Sequence, residues 1–242
     1  MRSYVSVGEK GLPARQTFKP DNDIAMDYGC VIAMCEVLLF IPQALFLMLP
    51  TYVANMTPVF FAKLFPRWDT PLDFGKLHKD GKPIFGKNKT WRGLICGSLV
   101  AMLFASGLAL AVHGSGLAAF PDYGWSAYGS FWVVPVIGLF MGFGALAGDA
   151  VKSFFKRRRG KEPGAAWYGP DQLDFIVGSW LFALAAGGVL QLCGLASGNW
   201  FLDLFILGGN WPRAVFVAAS ILILHPLTNW IGYKLKLKKV PW

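Results

Sequence analysis

Five blocks of this sequence are apolar for long enough to cross a lipid bilayer, and they restrict the fold more than any single motif. They run roughly over residues 37–62, 93–112, 129–148, 175–197 and 214–233. A membrane-spanning helix needs about 20 predominantly apolar residues. In hydrocarbon a span must also satisfy its own backbone hydrogen bonds. The composition agrees: 55% of the 242 residues are hydrophobic and only 15% are charged, where a soluble domain carries about 25%. The expected fold class is all-α: a polytopic integral membrane protein of about five transmembrane helices. A polar N-terminal tail is expected over 1–28 and a membrane domain over 29–242.

The first block contains Pro42, Pro50 and Pro58. One long, kinked and tilted span is expected there, because prolines bend membrane helices without necessarily ending them. A hairpin turning near Pro50 would leave two spans of about 15 residues each, which is short. The first 27 residues carry balanced charge and show no secretory signal. Residues 1–22 read as a mobile tail. Cys30, Cys35, Cys96 and Cys193 lie in or beside apolar blocks without metal-type spacing, so they read as buried thiols.

Charge then orients the chain. Of the basic residues, eight fall in segment 63–92, six in 149–174 and four at the C-terminus as Lys234, Lys236, Lys238 and Lys239. Segment 113–128 holds no Lys or Arg, and 198–213 holds only Arg213. Basic loops stay on the cytoplasmic side, so the loops at 63–92 and 149–174 and the C-terminus are expected there, in the cytoplasmic membrane of the cell. Five spans then put the N-terminus outside. Such charge also attracts anionic headgroups, and no nucleic-acid partner is expected. A homodimer is allowed by the sequence but required by no feature of it.

Topology explains the cations but not the acids. Asp149 stands at the end of the third block, and Asp171 and Asp174 stand at the start of the fourth. If the third helix runs past Gly148, then Asp149, Ser153 and Lys156 fall at i, i+4 and i+7 and share a face, with Arg157 one step round. Asp171 and Asp174, at i and i+3, share another. Both could merely cap a helix N-terminus, where carboxylates are favourable. As one half of a divalent-metal site completed by Asp149 they make more sense, since Mg²⁺ is held by one or two carboxylates plus substrate phosphates. Lys156 and Arg157 would neutralise phosphate charge that the metal does not reach.

The first loop points the same way. "PLDFGKLHKDGKPIFGKNKTWRG", Pro71 to Gly93, interleaves glycines with cations. Gly81–Asn88 comes within one residue of a P-loop, but Asn88 stands where Ser or Thr should be, and no βαβ context surrounds it. "NKTWRG", Asn88 to Gly93, is the stronger element, although Trp91 and Arg92 could simply anchor the helix at the interface.

Together, "FGKNKTWRG" (Phe85–Gly93) and "GDAVKSFFKRRRG…PDQLDF" (Gly148–Gly160, Pro170–Phe175) resemble the loops of CDP-archaeol synthases. These are CTP-dependent cytidylyltransferases of archaeal-type ether lipids, related to the CDP-diacylglycerol synthases. The broader family has S-x-x-K-R followed by D-R-x-D. Ser153, Lys156 and Arg157 match the first part, and Asp171 and Asp174 the second, with Gln172 in place of Arg. Lys161–Gly164 and Trp167–Gly169 replace the Lys-Asp and His-Gly-Gly of the diacylglycerol type, which favours the archaeol branch. The resemblance covers about residues 65–235.

It implies transfer of CMP from CTP to a membrane lipid phosphate, a digeranylgeranylglyceryl-type ether lipid, with release of pyrophosphate. It assigns Asp149, Asp171 and Asp174 to Mg²⁺, with Lys156 among the catalytic groups. Ser153, Lys156, Arg157 and Lys89 would hold phosphates, supported by Thr90 and Arg92. The resemblance leaves room for a monovalent cation beside the metal. The lipid phosphate is already a nucleophile, so no Ser–His or Cys–His pair is needed, and His78 reads as solvated or interfacial.

Two other readings compete. A CDP-diacylglycerol synthase acting on phosphatidate would share the headgroup end. A transporter or scaffold would carry charges near mid-bilayer, whereas here the block centres are uncharged. Among the remaining features, Trp200, Trp211, Trp230 and Trp242 read as interfacial belts. Gly142, Gly144 and Gly148 suit close helix packing. His225-Pro226 reads as a kink with a locally bonded histidine.

Overall fold

Each apolar block is helical over most of its length, as the need to pair every backbone group in hydrocarbon requires. In the computed structural model, residues 22–116, 119–162 and 165–236 are described, with side chains from Leu39 onward. Helix α1 runs over Asn22–Leu64, α2 over Trp91–Ser115, α3 over Trp125–Tyr128 and α4 over Val133–Arg158. Then come α5 at Pro170–Leu192, α6 at Trp200–Phe205 and α7 at Trp211–Lys234. Five helices among the described residues are long and apolar enough to cross a membrane. The chain divides into a unit of residues 1–38 and a main body from Leu39 to Trp242. Of the expected polar tail, residues 1–21 lie outside the described residues, and Asn22 is already helical.

The first block forms one continuous helix, with Pro42, Pro50 and Pro58 all inside it. The third span continues ten residues past the end of its apolar block, from Gly148 to Arg158. The fourth starts five residues early, at Pro170, whose fixed φ suits the first turn. There the Gln172 side chain accepts the Gly169 N–H at 2.6 Å. This helix stops at Leu192 rather than 197, just before Gly194, which takes a φ of 69°. Both shifts move the acids from loop into helix.

Helix α4 is the axis of the body and packs against α2 on one side and α5 on the other. Small residues make both seams. Gly138 and Gly142 lie against Ala101, Ala105 and Ser98 of α2. On the other side, Gly144 and Gly148 meet Gly178 and the backbone of Asp174 so closely that a methyl group on any of the three glycines would overlap a facing backbone atom. Helix α1 joins them through a buried Thr51–Ser179 hydroxyl pair at 2.6 Å and through Tyr52, edge-on to Phe175.

Away from the acids, α6 inserts Trp200, Phe201 and Phe205 into the core. Trp200 is therefore no belt residue. It is 1% exposed and stacks in parallel with Tyr123, because α6 turns it inward between α5 and the α2–α4 connection. Trp211 and Trp230 are exposed, as a belt requires, and Trp242 lies outside the described residues. Cys193 is exposed rather than buried, since the helix ends there, and Cys96 is half-buried. The Cys30 and Cys35 side chains lie outside the described residues.

Candidate active site

Three carboxylates from two helices meet where α4 passes α5. The Gly148–Gly178 contact brings the α5 backbone at Asp174 against α4, so Asp149, one residue after Gly148, faces Asp171 and Asp174. All three line a cavity of about 730 Å³. Between them stands the ammonium of Lys152. Its Nζ lies 2.9 Å from Asp149, 3.2 Å from Asp171 and 2.8 Å from Asp174. Two further lysines flank the group: Lys89 pairs with the second oxygen of Asp149, and Lys156 lies 2.7 Å from Asp171.

Each carboxylate therefore has a cation, as charges removed from water require. Asp171 also accepts the Trp167 N–H at 2.7 Å, so it combines a helix-end contact with the ion pairs. Lys156 donates to the Ala165 carbonyl as well, at 2.6 Å, which ties the start of the 165–169 loop to α4. Ser153 donates to the Asp149 carbonyl one turn back, at 3.0 Å, and lines the cavity together with Arg157.

The first loop supplies the opposite wall, and Asp73 organises it. Its buried carboxylate accepts the N–H groups of Gly75, Phe85 and Gly86 at 2.9–3.0 Å. Burial pushes that carboxyl upward, but the backbone donors from Gly86, Phe85 and Gly75 outweigh it and hold the pKa below the usual range. Arg158, at the end of α4, fastens this loop to the helix. It pairs with Asp80 at 2.8 Å and donates to the Pro83 carbonyl at 2.5 Å. Lys82, Lys87 and Lys89 consequently face Lys156 and Arg157 across the cavity. Seven cations and four carboxylates line it in all, an excess of positive charge suited to a polyanion.

The structure thus brings together Asp149, Asp171, Asp174, Ser153, Lys156, Arg157 and Lys89. Thr90 and Arg92 are placed elsewhere and do not line the cavity. Thr90 is the N-cap of α2 and accepts the Gly93 N–H at 3.2 Å. Arg92 is buried and donates to the Phe65 carbonyl at 2.6 Å, which pins the chain leaving α1. His78 is exposed, 3.4 Å from Asp80, and lies outside the cavity. Of the segments that distinguish the archaeol branch, Pro163 and Gly164 lie outside the described residues.

The sequence reading missed Lys152, although the spacing rule it used covers i+3 as well as i+4 and i+7 from Asp149. It also missed Asn55 of α1 and His225 and Asn229 of α7, all of which line the cavity. No local pattern marks these three, because only the packing of α1 and α7 brings them there. Among the described residues, no group of three or more His, Cys, Asp or Glu side chains is arranged to hold a metal as it stands. Instead, the Lys152 ammonium stands between the three carboxylates. An all-oxygen donor set around a cation is nonetheless chemically suited to a hard divalent ion such as Mg²⁺.

Comparison with known proteins matches the chain to one family. The family model described as CarS-like, CDP-archaeol synthase, matches residues 34–194. The CDP-archaeol synthase of Methanocorpusculum labreanum is 38% identical over 204 residues, spanning 81% of this chain and 100% of that protein. That of Methanosarcina acetivorans is 37% identical over 202 residues, with coverage of 81% and 100%. The chain belongs to the CDP-archaeol synthase family.

A solved structure from a study of an intramembrane enzyme for archaeal membrane lipid biosynthesis is also similar. It shares 28% identity and a TM-score of 0.52, covering 78% of this chain and 94% of the other. The family match takes in most of α1 and stops at the end of α5. It includes both loops and all three aspartates, and it reaches further toward the N-terminus than the two loop motifs alone indicate.

Proposed function

We propose that this chain is a CTP-dependent cytidylyltransferase that transfers CMP to an archaeol-type lipid phosphate, giving CDP-archaeol and pyrophosphate. An oxygen of the lipid phosphate attacks the α-phosphorus of CTP. A new phosphorus–oxygen bond forms, the bond from the α-phosphorus to the bridging oxygen breaks, and the electron pair leaves with pyrophosphate. The observation that carries this reading is the meeting of Asp149, Asp171 and Asp174 in a cavity otherwise rich in lysine. Family membership supports the ether-lipid branch over phosphatidate.

The residues provide position and charge. Lys89, Lys156 and Arg157 bind the triphosphate from two walls, and Ser153 is within the same cavity to donate to a phosphate oxygen. Asp149, Asp171 and Asp174 would hold Mg²⁺, which supplies charge neutralisation at the triphosphate when bound. Lys152, now between the three acids, would then turn to the phosphates. The nucleophile is already ionised, so no protein base is required. The basic loops at 63–92 and 149–174 support a cytoplasmic cavity, on the side that carries the positive loops.

Purified protein in mixed micelles, supplied with radiolabelled CTP and Mg²⁺, tests the reading. Digeranylgeranylglyceryl phosphate should yield labelled CDP-lipid and pyrophosphate, and Asp149→Asn and Asp171→Asn should each abolish both while the protein still folds. Turnover of phosphatidate alone would overturn the lipid assignment, and full activity in both variants would overturn the site.

A further inference from the structure

Beside the acid cavity lies a second, smaller one of about 280 Å³. The 165–169 loop and the first turn of α5 form one side, and the last third of α7 forms the other. Three residues, Asp171, His225 and Asn229, line both cavities, so the two are neighbours across a wall one side chain thick. The rest of the smaller lining is Ala166, Trp167, Tyr168, Gln172, Pro226 and Trp230, chiefly aromatic and apolar. Asn229 and His225 face each other at 3.4 Å across one helical turn. They add polar atoms where the apolar cavity meets the charged one.

The larger cavity has the lysines that a nucleotide triphosphate needs, and among its lining residues only Pro83, Phe85 and Ala165 carry apolar side chains. An acceptor that is part lipid must reach the same acids from the bilayer. The flank of α7 is the side open to lipid. Of its most apolar stretch only 17% is buried inside the protein, against 56% for α4. Trp230 and Tyr168 are both exposed at that flank, at the end of α7 that carries Lys234 and at the start of α5. This is the level at which amphipathic aromatic rings meet headgroups.

We propose that the smaller cavity is the acceptor subsite. It takes the glycerol and the first chain carbons of a glycerol-based lipid phosphate, and its phosphate projects past His225 and Asn229 toward Asp171 and Lys156. This inference rests on the cytidylyltransferase reading above and adds to it the place and direction of lipid entry. On this account His225, beside the proline of α7, is a positioning residue for the acceptor.

The test combines kinetics with labelling of the wild-type protein. Ala166→Phe places a ring in the cavity and replaces no charged side chain. It should raise the apparent KM for the lipid phosphate in mixed micelles about tenfold, equivalent to about 1.4 kcal/mol, and leave the KM for CTP within about twofold. A lipid phosphate with a photoreactive group on the first chain carbons should label peptides covering 165–172 or 225–230, and excess unlabelled acceptor should compete. Labelling confined to α1 or α2, or an Ala166→Phe enzyme whose lipid and CTP KM values rise together, would overturn the subsite. The two proposals fail separately. A protein labelled here that forms no CDP-lipid would overturn the reaction and keep the lipid site. One that turns over but is labelled elsewhere would do the reverse.

Discussion

Replacing Lys152 with alanine removes the ammonium that stands within 3.2 Å of three carboxylates. Its side chain is only 14% exposed, and that of Asp174 only 5%. Asp149 would retain Lys89 and Asp171 would retain Lys156, but Asp174 would lose its ion-pair partner. Breaking a buried pair by removing one member costs about 3–5 kcal/mol. For a chain of this size that lowers Tm by about 6–20 °C. Thermal unfolding of the detergent-solubilised protein in a chelator measures it, and Lys152→Met, which keeps most of the apolar stem, should fall nearly as far. If the three acids can hold a divalent ion, Mg²⁺ should restore far more of the loss in the variants than it adds to the wild type, because ammonium and metal compete for the same oxygens. Mn²⁺ binding followed by electron paramagnetic resonance should likewise tighten in the variants. A Lys152→Ala protein as stable as the wild type in chelator would refute the argument that Lys152 holds the acids together. Unchanged Mn²⁺ affinity would refute the shared site.

Three further outcomes follow from the geometry. Gly148→Ala drives a methyl group into the Asp174 carbonyl oxygen; overpacking costs about 1–3 kcal/mol, and activity should fall by much more than Tm suggests because the acids are forced apart. Thr90→Ala should cost about 1 kcal/mol of stability as a lost N-cap, yet leave the KM for CTP within about twofold, since Thr90 does not line the cavity. Asp73→Asn would set an amide NH₂ or a single oxygen against three N–H donors, loosening the first loop by about 1–3 kcal/mol, read as faster proteolysis between residues 72 and 86. The pH dependence of that loop has a definite sign. A carboxyl whose folded pKa is depressed stabilises fully above its unfolded value of about 3.9 and loses that stabilisation as pH falls through the lower folded value. Protection should therefore be flat from neutral pH down to about 5 and decline only below about 4.

The spans were legible because bilayer thickness imposes a length and a composition, and both survive in a single sequence. The acids were legible because carboxylates at the ends of apolar blocks need a partner, and Ser153, Lys156 and Arg157 supplied one at helical spacing. Lys152 was overlooked among the topological cations of its loop, since the charge of a lysine does not reveal whether it faces lipid headgroups or three aspartates. Thr90 and Arg92 sit beside the useful Lys89 in "NKTWRG", but a helix start separates their directions: Lys89 points into the cavity, while Thr90 caps the first turn and Arg92 turns back to Phe65. Trp200 misled for a related reason. A tryptophan near the end of a span has the same sequence context whether the short helix carrying it faces lipid or folds inward. His225 and Asn229 required α7 to be docked before they meant anything.

The α4–α5 seam links the fold to the chemistry more tightly than either set of acids does alone. Asp149 is held by one helix and Asp171 and Asp174 by another, so their separation is set by how closely two backbones approach. That approach depends on Gly144, Gly148 and Gly178. Lys89 of the first loop and Lys152 and Lys156 of α4 neutralise the acids, so the site is internally paired. On the proposed reading, a triphosphate and a divalent ion would offer each group a new partner, phosphate for the lysines and the cation for the carboxylates. The protein's own charges are already held out of water by one another, so such an exchange would trade one set of ion pairs for another and leave none of them bare. Such an exchange requires three acids and at least three movable cations within one cavity, and it explains why the seam must be tight while the lysines at its mouth stay long and flexible.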